Sequence, residues 1–392
     1  VSVTAAKGFV AGGFASGIKA DGVTDLALVA TEDHQPVVAA GVFTTNLAAA
    51  APVHVSRAHL AATSGHTAAV VLNSGNANAA TGADGRATSE RTCLLVADAL
   101  RCHENDVLVC STGLIGIPLP IDTFVSGIPG VVATLADTSA AGEAAAEAIM
   151  TTDTIRKESV VVGSGVTVGG MAKGAAMLSP NMATMLAVLT TDAVIEPAAL
   201  QHQLARAMDQ SFHRITVDGC TSTNDTVIVL ASAKADPAAT TDATEIGELI
   251  TRVCADLAEQ MVCDAEGATK TVRVRVVGAA SHDDAAKAAR RIAESQLTKC
   301  SWYGEDPYWG RVVSEAASAG AAFDIDKVSV TYGEWTVAAG GVTVDHDEQA
   351  VAKYMKGDRI DVTVDLNIGS GEWWLLTNDL THAYVDENMG TS

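Results

Sequence analysis

The feature that most constrains the fold is the run Met182-Ala183-Thr184-Met185-Leu186-Ala187-Val188-Leu189, which is small and apolar throughout except for one hydroxyl. A run of that length between turn signals fits a strand buried on both faces. On its N-terminal side, Ser179-Pro180-Asn181 marks a turn. Proline pre-sets one dihedral there, and Ser and Asn bond to nearby backbone. Further back, Lys173-Gly174-Ala175-Ala176 is a flexible small-residue segment carrying one cation.

Thr184 has two readings. As a core residue it bonds a neighbouring carbonyl and does nothing more. As a nucleophile it attacks the preceding carbonyl, on Ala183, and splits the chain, so that Thr184 begins a second chain. Its hydroxyl is then the nucleophile and its freed α-amine the general base, a pairing known for threonine nucleophiles. An α-amine titrates near pH ~8 when unperturbed and is partly neutral at working pH. The β-branch holds the hydroxyl in few rotamers, which limits the entropy lost in aiming it.

With 392 residues, 48% apolar and 18% charged, the chain can bury a sizeable core as two structural halves or one large domain. Aromatics are only 4%, so Ala, Val and Leu must fill that core. The formal net charge of −22 argues against nucleic acid or an anionic membrane as partner, yet leaves room for a local cation that binds an anionic substrate. Seven scattered cysteines with no CxxC pair predict reduced, mostly buried thiols in a cytosolic protein. No His or Cys pair has zinc-ligand spacing, so no metal is expected. There is no signal peptide and no unbroken apolar stretch of about 18 residues, which predicts a soluble protein.

Polar motifs recur at the ends of predicted elements. Gly17-Ile18-Lys19 is an exposed turn or a loop that approaches a ligand. Strands are predicted over 37–43 and 69–72, the second running into Asn73-Ser74-Gly75-Asn76-Ala77-Asn78, a well-bonded turn with a structural or a functional role. A helix over 87–100 precedes a strand over 107–110 and then Ser111-Thr112-Gly113. That triplet is a common turn, but it also offers a hydroxyl and backbone N–H groups with little bulk, as an oxyanion site requires. An alanine-rich helix over 137–150 ends in Thr151-Thr152-Asp153-Thr154, which could cap a following element. A hairpin over 160–169 turns at Gly163-Ser164-Gly165.

Beyond the central run, a helix over 197–212 is followed by the polar stretch 218–226, either a solvated loop or a site wall or assembly surface, and a strand over 227–230. Ile246, Leu249, Ile250, Val253, Leu257 and Met261 share one face of a helix over 246–263. It ends in Asp264-Ala265-Glu266-Gly267, an acidic helix end that the C-terminal dipole disfavours. Pairing with Lys270 or a cationic ligand group would relieve it. Strands over 271–277, 328–332, 360–366 and 373–376 and helices over 282–295, after Arg311 and near 348–356 complete the chain. Its tail either frays or folds back.

These motifs together resemble the glutamate N-acetyltransferase (ornithine acetyltransferase) family of arginine biosynthesis, in an actinobacterial-like form, over nearly the whole chain. The resemblance implies an α/β fold with β-sheets sandwiched between helices, like N-terminal-nucleophile hydrolases. It implies self-cleavage into an α chain (1–183) carrying the oxyanion hole and a β chain (184–392) starting at the nucleophile, assembled as a cytoplasmic α2β2 heterotetramer. By the same resemblance, Thr184 is expected to take an acetyl group from N-acetylornithine and pass it to glutamate, with Thr112 and Gly113 stabilising the oxyanion. Thr151, Lys173, Thr184, Glu266, Asn388 and Ser392 contact substrate, with Lys173 on its carboxylate and Glu266 on its amino group. No metal or cofactor is implied.

Two departures stand out. Tyr308 replaces asparagine in an Asp-Pro-Asn-Trp-Gly-Arg element, and the tail after Asn388 is one residue short. The first keeps a different acyl donor or acceptor open. An N-terminal-nucleophile aminopeptidase or amidase, and a non-catalytic assembly protein, are the other readings. The resemblance also leaves open a second activity, acetyl-CoA-dependent amino-acid N-acetylation.

Overall fold

The computed structural model describes residues 2–20, 22–177 and 185–389. The chain forms two compact units, Val1–His213 with Cys220–Met261, and Arg214–Gly219 with Val262–Ser392. In the first, the order is β1 (Phe9–Phe14), β2 (Leu26–Thr31), β3 (Val37–Phe43), α1 (Ala51–Ala62), β4 (His66–Thr67), β5 (Ala69–Asn73), α2 (Gly82–Leu100), β6 (Val107–Ser111), α3 (Ile121–Ala133) and α4 (Ser139–Ala148). Then follow β7 (Lys157–Gly163), β8 (Val166–Lys173), β9 (Leu186–Thr191), α5 (Pro197–Gln210), β10 (Thr226–Ala231) and α6 (Ala243–Cys263).

The strands of this unit make two sheets, ordered β1-β2-β5-β6 and β4-β3-β10-β9-β8-β7. Val29, Val70, Leu72 and Leu108 of the first sheet pack in one core with Met171, Leu186, Val188, Ile228 and Leu230 of the second. On its other face the first sheet packs Leu28, Val71 and Val109 against Val96 of α2 and Phe124 and Ile128 of α3. The second sheet carries α5, whose Gln201 exchanges hydrogen bonds with the Gly41 backbone of β3, and α6, whose Val253 and Leu257 face Gly170 of β8. The layers are therefore helix, sheet, sheet, helix, which is the sandwich the family resemblance implies.

That layering explains the apolar run. All six residues of β9 are buried, because a sheet covers one face and helices the other. β9 lies parallel to β10 and antiparallel to β8, with Lys173 opposite Leu186. The predicted strand over 182–189 holds for its second half and extends to Thr191; its first three residues lie outside the described ones. The hairpin turns through Ser164 and Gly165, both at positive φ, as a two-residue turn requires. All six apolar positions read on one face of α6 are buried.

The second unit contains β11 (Thr271–Ala279), α7 (His282–Ala293), α8 (Gln296–Tyr303), α9 (Trp309–Ala317), β12 (Ser329–Tyr332), β13 (Trp335–Ala339), β14 (Val342–Thr343), α10 (Glu348–Tyr354), β15 (Arg359–Asp365), β16 (Gly371–Asn378) and α11 (His382–Glu387). Its sheet is ordered β14-β13-β12-β15-β11-β16. Val272, Val274 and Val276 of β11 alternate with exposed or half-buried residues, the pattern of a sheet with one covered face. Trp302 of α8, fully buried, sits in that core with Ile292 of α7 and Val312 of α9.

The cysteines differ from the expectation. None of the seven forms a disulfide, but Cys220, Cys263 and Cys300 are exposed and Cys102 is half-buried, leaving only Cys93, Cys110 and Cys254 buried. The exposed ones sit in a polar loop, at the last residue of α6 and on the open side of α8, where no core is available to cover them. Among the described residues no helix is long and apolar enough to cross a membrane. Trp302→Ala empties the largest fully buried side-chain volume in the molecule, and a loss of about 3–5 kcal/mol in denaturant unfolding is expected.

Candidate active site

The polar residues singled out in the sequence gather at strand ends. At the end of β6, Thr112 N–H donates to Asn73 O at 3.0 Å, carrying the β5–β6 pairing one step past the sheet. Gly113 has φ +134°, and an added Cβ would meet Gly75 C at 2.3 Å and Asn76 N at 2.4 Å. Only glycine fits so close to that backbone in that conformation. Asparagines fix the turn it rests on. Asn73 Nδ2 donates to Asn76 O at 2.9 Å, Asn76 Oδ1 accepts from Asn78 N–H at 2.8 Å, and Asn78 Nδ2 donates to Gly85 O at 2.8 Å. The Asn-rich turn is thus the shelf under Thr112 and Gly113. The Thr112 hydroxyl and the Gly113 N–H make no hydrogen bond to any described residue. Two adjacent idle donors at the end of a buried strand are suited to a developing oxyanion.

Asn224 ties that strand end to the second sheet. Its Nδ2 donates to Ser111 O at 2.8 Å and to Ala77 O at 2.6 Å. The next residue, Asp225, is buried, and its Oδ1 accepts from Met185 N–H at 3.0 Å. Its Oδ2 has no hydrogen-bond partner among the described residues; nor do Asn73 Oδ1 and Ser111 Oγ. Burial pushes the Asp225 carboxyl well above the usual carboxylate range, against the pull of Met185 N–H, the Ser222 hydroxyl and the charge of Lys173. The stretch 218–226 is therefore no simple solvated loop: Ser222, Asn224, Asp225 and Thr226 are all buried and form a wall.

Lys173, the last residue of β8, is 2% exposed. Its Nζ donates to Thr151 Oγ1 at 2.7 Å and lies 3.7 Å from Asp153 Oδ2. Asp153 is the hub. Oδ1 accepts from Lys157 Nζ and from Gly174 N–H, each at 2.7 Å, and Oδ2 accepts from Thr151 N–H at 3.0 Å. Burial alone would raise the Asp153 carboxyl, but Lys173 and Lys157, with the bonds from Lys157 and Thr151, outweigh it and hold the group well below the usual range. Lys19 sits beside this cluster, with Nζ on Met150 O at 2.7 Å. Burial lowers its pKa, and the like charge of Lys173 adds to that against Asp25 and Asp153. A cavity of 790 Å³ is lined in part by Lys19, Met150, Thr151 and Asp153.

In the second unit, Asn388 Nδ2 donates to Glu266 Oε2 at 2.6 Å, so the tail does fold back onto the acidic element. Asp379 secures the same loop by accepting from Thr269 and Lys270 N–H, and Thr381 Oγ1 donates to Gly267 O at 2.6 Å. Lys270 does not pair with Glu266; its Nζ donates to Gly357 O at 3.1 Å and lies 3.8 Å from Glu305. Tyr308 is half exposed, with its ring near Gly310 and the Arg311 guanidinium 5.6 Å from its centre.

The structure thus joins Thr151 to Lys173, Glu266 to Asn388, and Thr112 to Gly113. Ala183, Thr184 and Ser392 lie outside the described residues. Sequence reasoning missed Asp225, Asn224 and Lys157 as individuals and treated Asp153 only as a cap. The available signal for Asp153, Asn224 and Asp225 was their place in polar stretches between predicted elements, 151–154 and 218–226.

A depressed carboxyl stabilises the fold above its unfolded pKa, and that contribution is lost as pH falls through the folded value. Asp153→Asn leaves Lys157 and Lys173 buried without a counter-charge, and a cost of about 3–5 kcal/mol is expected at neutral pH. The gap between wild type and variant in denaturant melts should close as pH drops below about 4.

Residues 10–390 match the model of the ArgJ family. The arginine biosynthesis bifunctional protein ArgJ of Streptomyces avermitilis is 47% identical over 100% of this chain and 100% of its own length. That of Streptomyces coelicolor is 46% identical over the same shares. Among solved structures, ornithine acetyltransferase from Mycobacterium tuberculosis, complexed with ornithine, is 42% identical over 46% of this chain and 94% of that chain, with a TM-score of 0.41. This chain belongs to the ArgJ family.

Proposed function

We propose that the chain cleaves itself between Ala183 and Thr184, and then moves an acetyl group from N-acetylornithine to glutamate through an acetyl ester on Thr184. The observation that carries this reading is the pair of idle donors, the Thr112 hydroxyl and the Gly113 N–H, at the end of β6 in a chain of this family. Charge develops on a carbonyl oxygen in both stages, and the same two donors serve each time.

In the first stage the Thr184 hydroxyl adds to the Ala183 carbonyl, the peptide C–N bond breaks, and water releases an α chain (1–183) and a β chain (184–392). The cut falls in the connection between β8 and β9, which are paired from Val168 with Thr191 to Lys173 with Leu186. That ladder keeps both fragments in one sheet. In the second stage the α-amine of Thr184 takes the hydroxyl proton as the acetyl group transfers. Ornithine leaves, and glutamate's amine attacks the ester.

Lys173 meets the substrate carboxylate as a charge-assisted donor. Its ammonium is aimed by Thr151 and balanced by Asp153. On the family pattern Glu266 is assigned to the substrate amino group, and Asn388 and Ser392 are assigned as substrate contacts. The enzyme works as a cytoplasmic α2β2 assembly of the cleaved chains, and the relatives' arginine-pathway names support the amino-acid substrates.

Initial rates with N-acetylornithine and glutamate test this. Parallel double-reciprocal lines are expected, with acetyl transfer far exceeding hydrolysis; dominant hydrolysis would instead make the protein an amidase. Gly113→Ala forces a Cβ into the Gly75–Asn76 backbone and displaces the donor, so kcat should fall by ~10²–10³. An unchanged kcat would remove this pair from the mechanism.

A further inference from the structure

The two stages differ in one respect that the nucleophile cannot supply by itself. During transfer, the free α-amine of Thr184 is the base. During self-cleavage that nitrogen is still an amide and has no lone pair to offer, so another group must take the hydroxyl proton. The same group must protonate the departing nitrogen.

Chain connectivity narrows the choice. The α-nitrogen and the hydroxyl of residue 184 are three and four covalent bonds from Met185 N, so both stay within about 6 Å of it in any conformation. The titratable side chain bonded to Met185 N–H is Asp225, at 3.0 Å through Oδ1. Its second oxygen, Oδ2, is buried and accepts nothing from the described residues. Asn224 fixes the backbone on one side through Ser111 O and Ala77 O, and β10 begins on the other, so the carboxyl is held by rigid elements.

We infer that Asp225 is the proton carrier of self-cleavage, a step that rests on the reading above. Oδ2 takes the proton of the Thr184 hydroxyl as its oxygen bonds to the Ala183 carbonyl carbon. As the C–N bond breaks, the same proton passes to the leaving nitrogen, which becomes the α-amine. Asp225 returns to its starting state, and water then splits the ester to leave the Ala183 carboxyl and the free hydroxyl.

Burial raises the carboxyl and so makes its ionised form a stronger base than an exposed carboxylate, which suits the role. Among the described residues, three groups bear on it: Lys173 from the end of β8, Met185 N–H from the approach to β9, and the Ser222 hydroxyl from its own loop. Lys173 itself is committed as a donor to Thr151.

The test follows pulse-labelled, full-length wild type, Asp225→Asn and Asp225→Glu chains, made by cell-free translation and chased over a series of pH values, with cleavage read on denaturing gels. Wild-type cleavage should accelerate with pH through one titration. Asp225→Asn should cleave ~10²–10⁴-fold more slowly with that titration gone, and Asp225→Glu should restore cleavage with its midpoint moved. If wild type cleaves and the Asn variant matches it in rate and pH profile, Asp225 is not the carrier, and the transfer mechanism stands. If wild type never cleaves yet transfers acetyl groups, both readings fall. Should the Asn variant not fold, the Glu variant decides: an unshifted midpoint overturns the assignment.

Discussion

The interior between the two sheets of the first unit excludes water, so any polar group brought to the strand ends there must be answered by another polar group or shift its ionisation. The Lys157–Asp153–Lys173 cluster is the clearest case. Two ammonium groups with almost no exposure would be untenable alone; one carboxylate with both oxygens occupied makes them tolerable and fixes Thr151 in the same stroke. Replacing Asp153 by an apolar residue would leave both ammonium groups buried and unanswered, which costs more than the cluster's own net worth. The cluster is kept for position rather than for stability.

The same exclusion of water shapes the rest of the site. Asn224 answers the last carbonyl of β6 and so brings the ends of two different sheets together. One strand end then presents donors and the other a carboxyl. Asn73 Oδ1, Ser111 Oγ and Asp225 Oδ2, buried without hydrogen-bond partners among the described residues, all lie at these ends. Catalytic groups held on rigid strand ends need little reorganisation during reaction, which is where most electrostatic catalysis arises.

Much of this was legible in the chain. The buried run ending in β9, the alternation of β11 and the six apolar positions of α6 follow from periodicity alone, because burial there is decided by local pattern. The helix α3 was not legible: Gly127, Pro129 and Gly130 read as breakers. Tertiary contacts reverse that reading, since a Cβ at Gly130 would strike the Phe14 ring and one at Gly127 would strike Ser16. Likewise α8 was hidden behind the end of α7, two helices separated only by Glu294 and Ser295. In the site, Thr112, Gly113, Thr151, Lys173, Glu266 and Asn388 were reached through family likeness, and their pairings needed coordinates. Asp225 was invisible because its role depends on Met185, forty positions earlier, and sequence reading has no means of joining them.

The proposed chemistry requires Thr184 to be both a new chain start and the carrier of the acetyl group. The most direct measurement is a rapid quench of active enzyme with N-acetylornithine alone, followed by intact-mass analysis and peptide mapping. Two chains are expected, 1–183 and 184–392, with one acetyl group on the second, held as an ester at its first residue and discharged by glutamate. An enzyme that turns over as an uncut 392-residue chain, or that carries its acetyl group elsewhere, would contradict it.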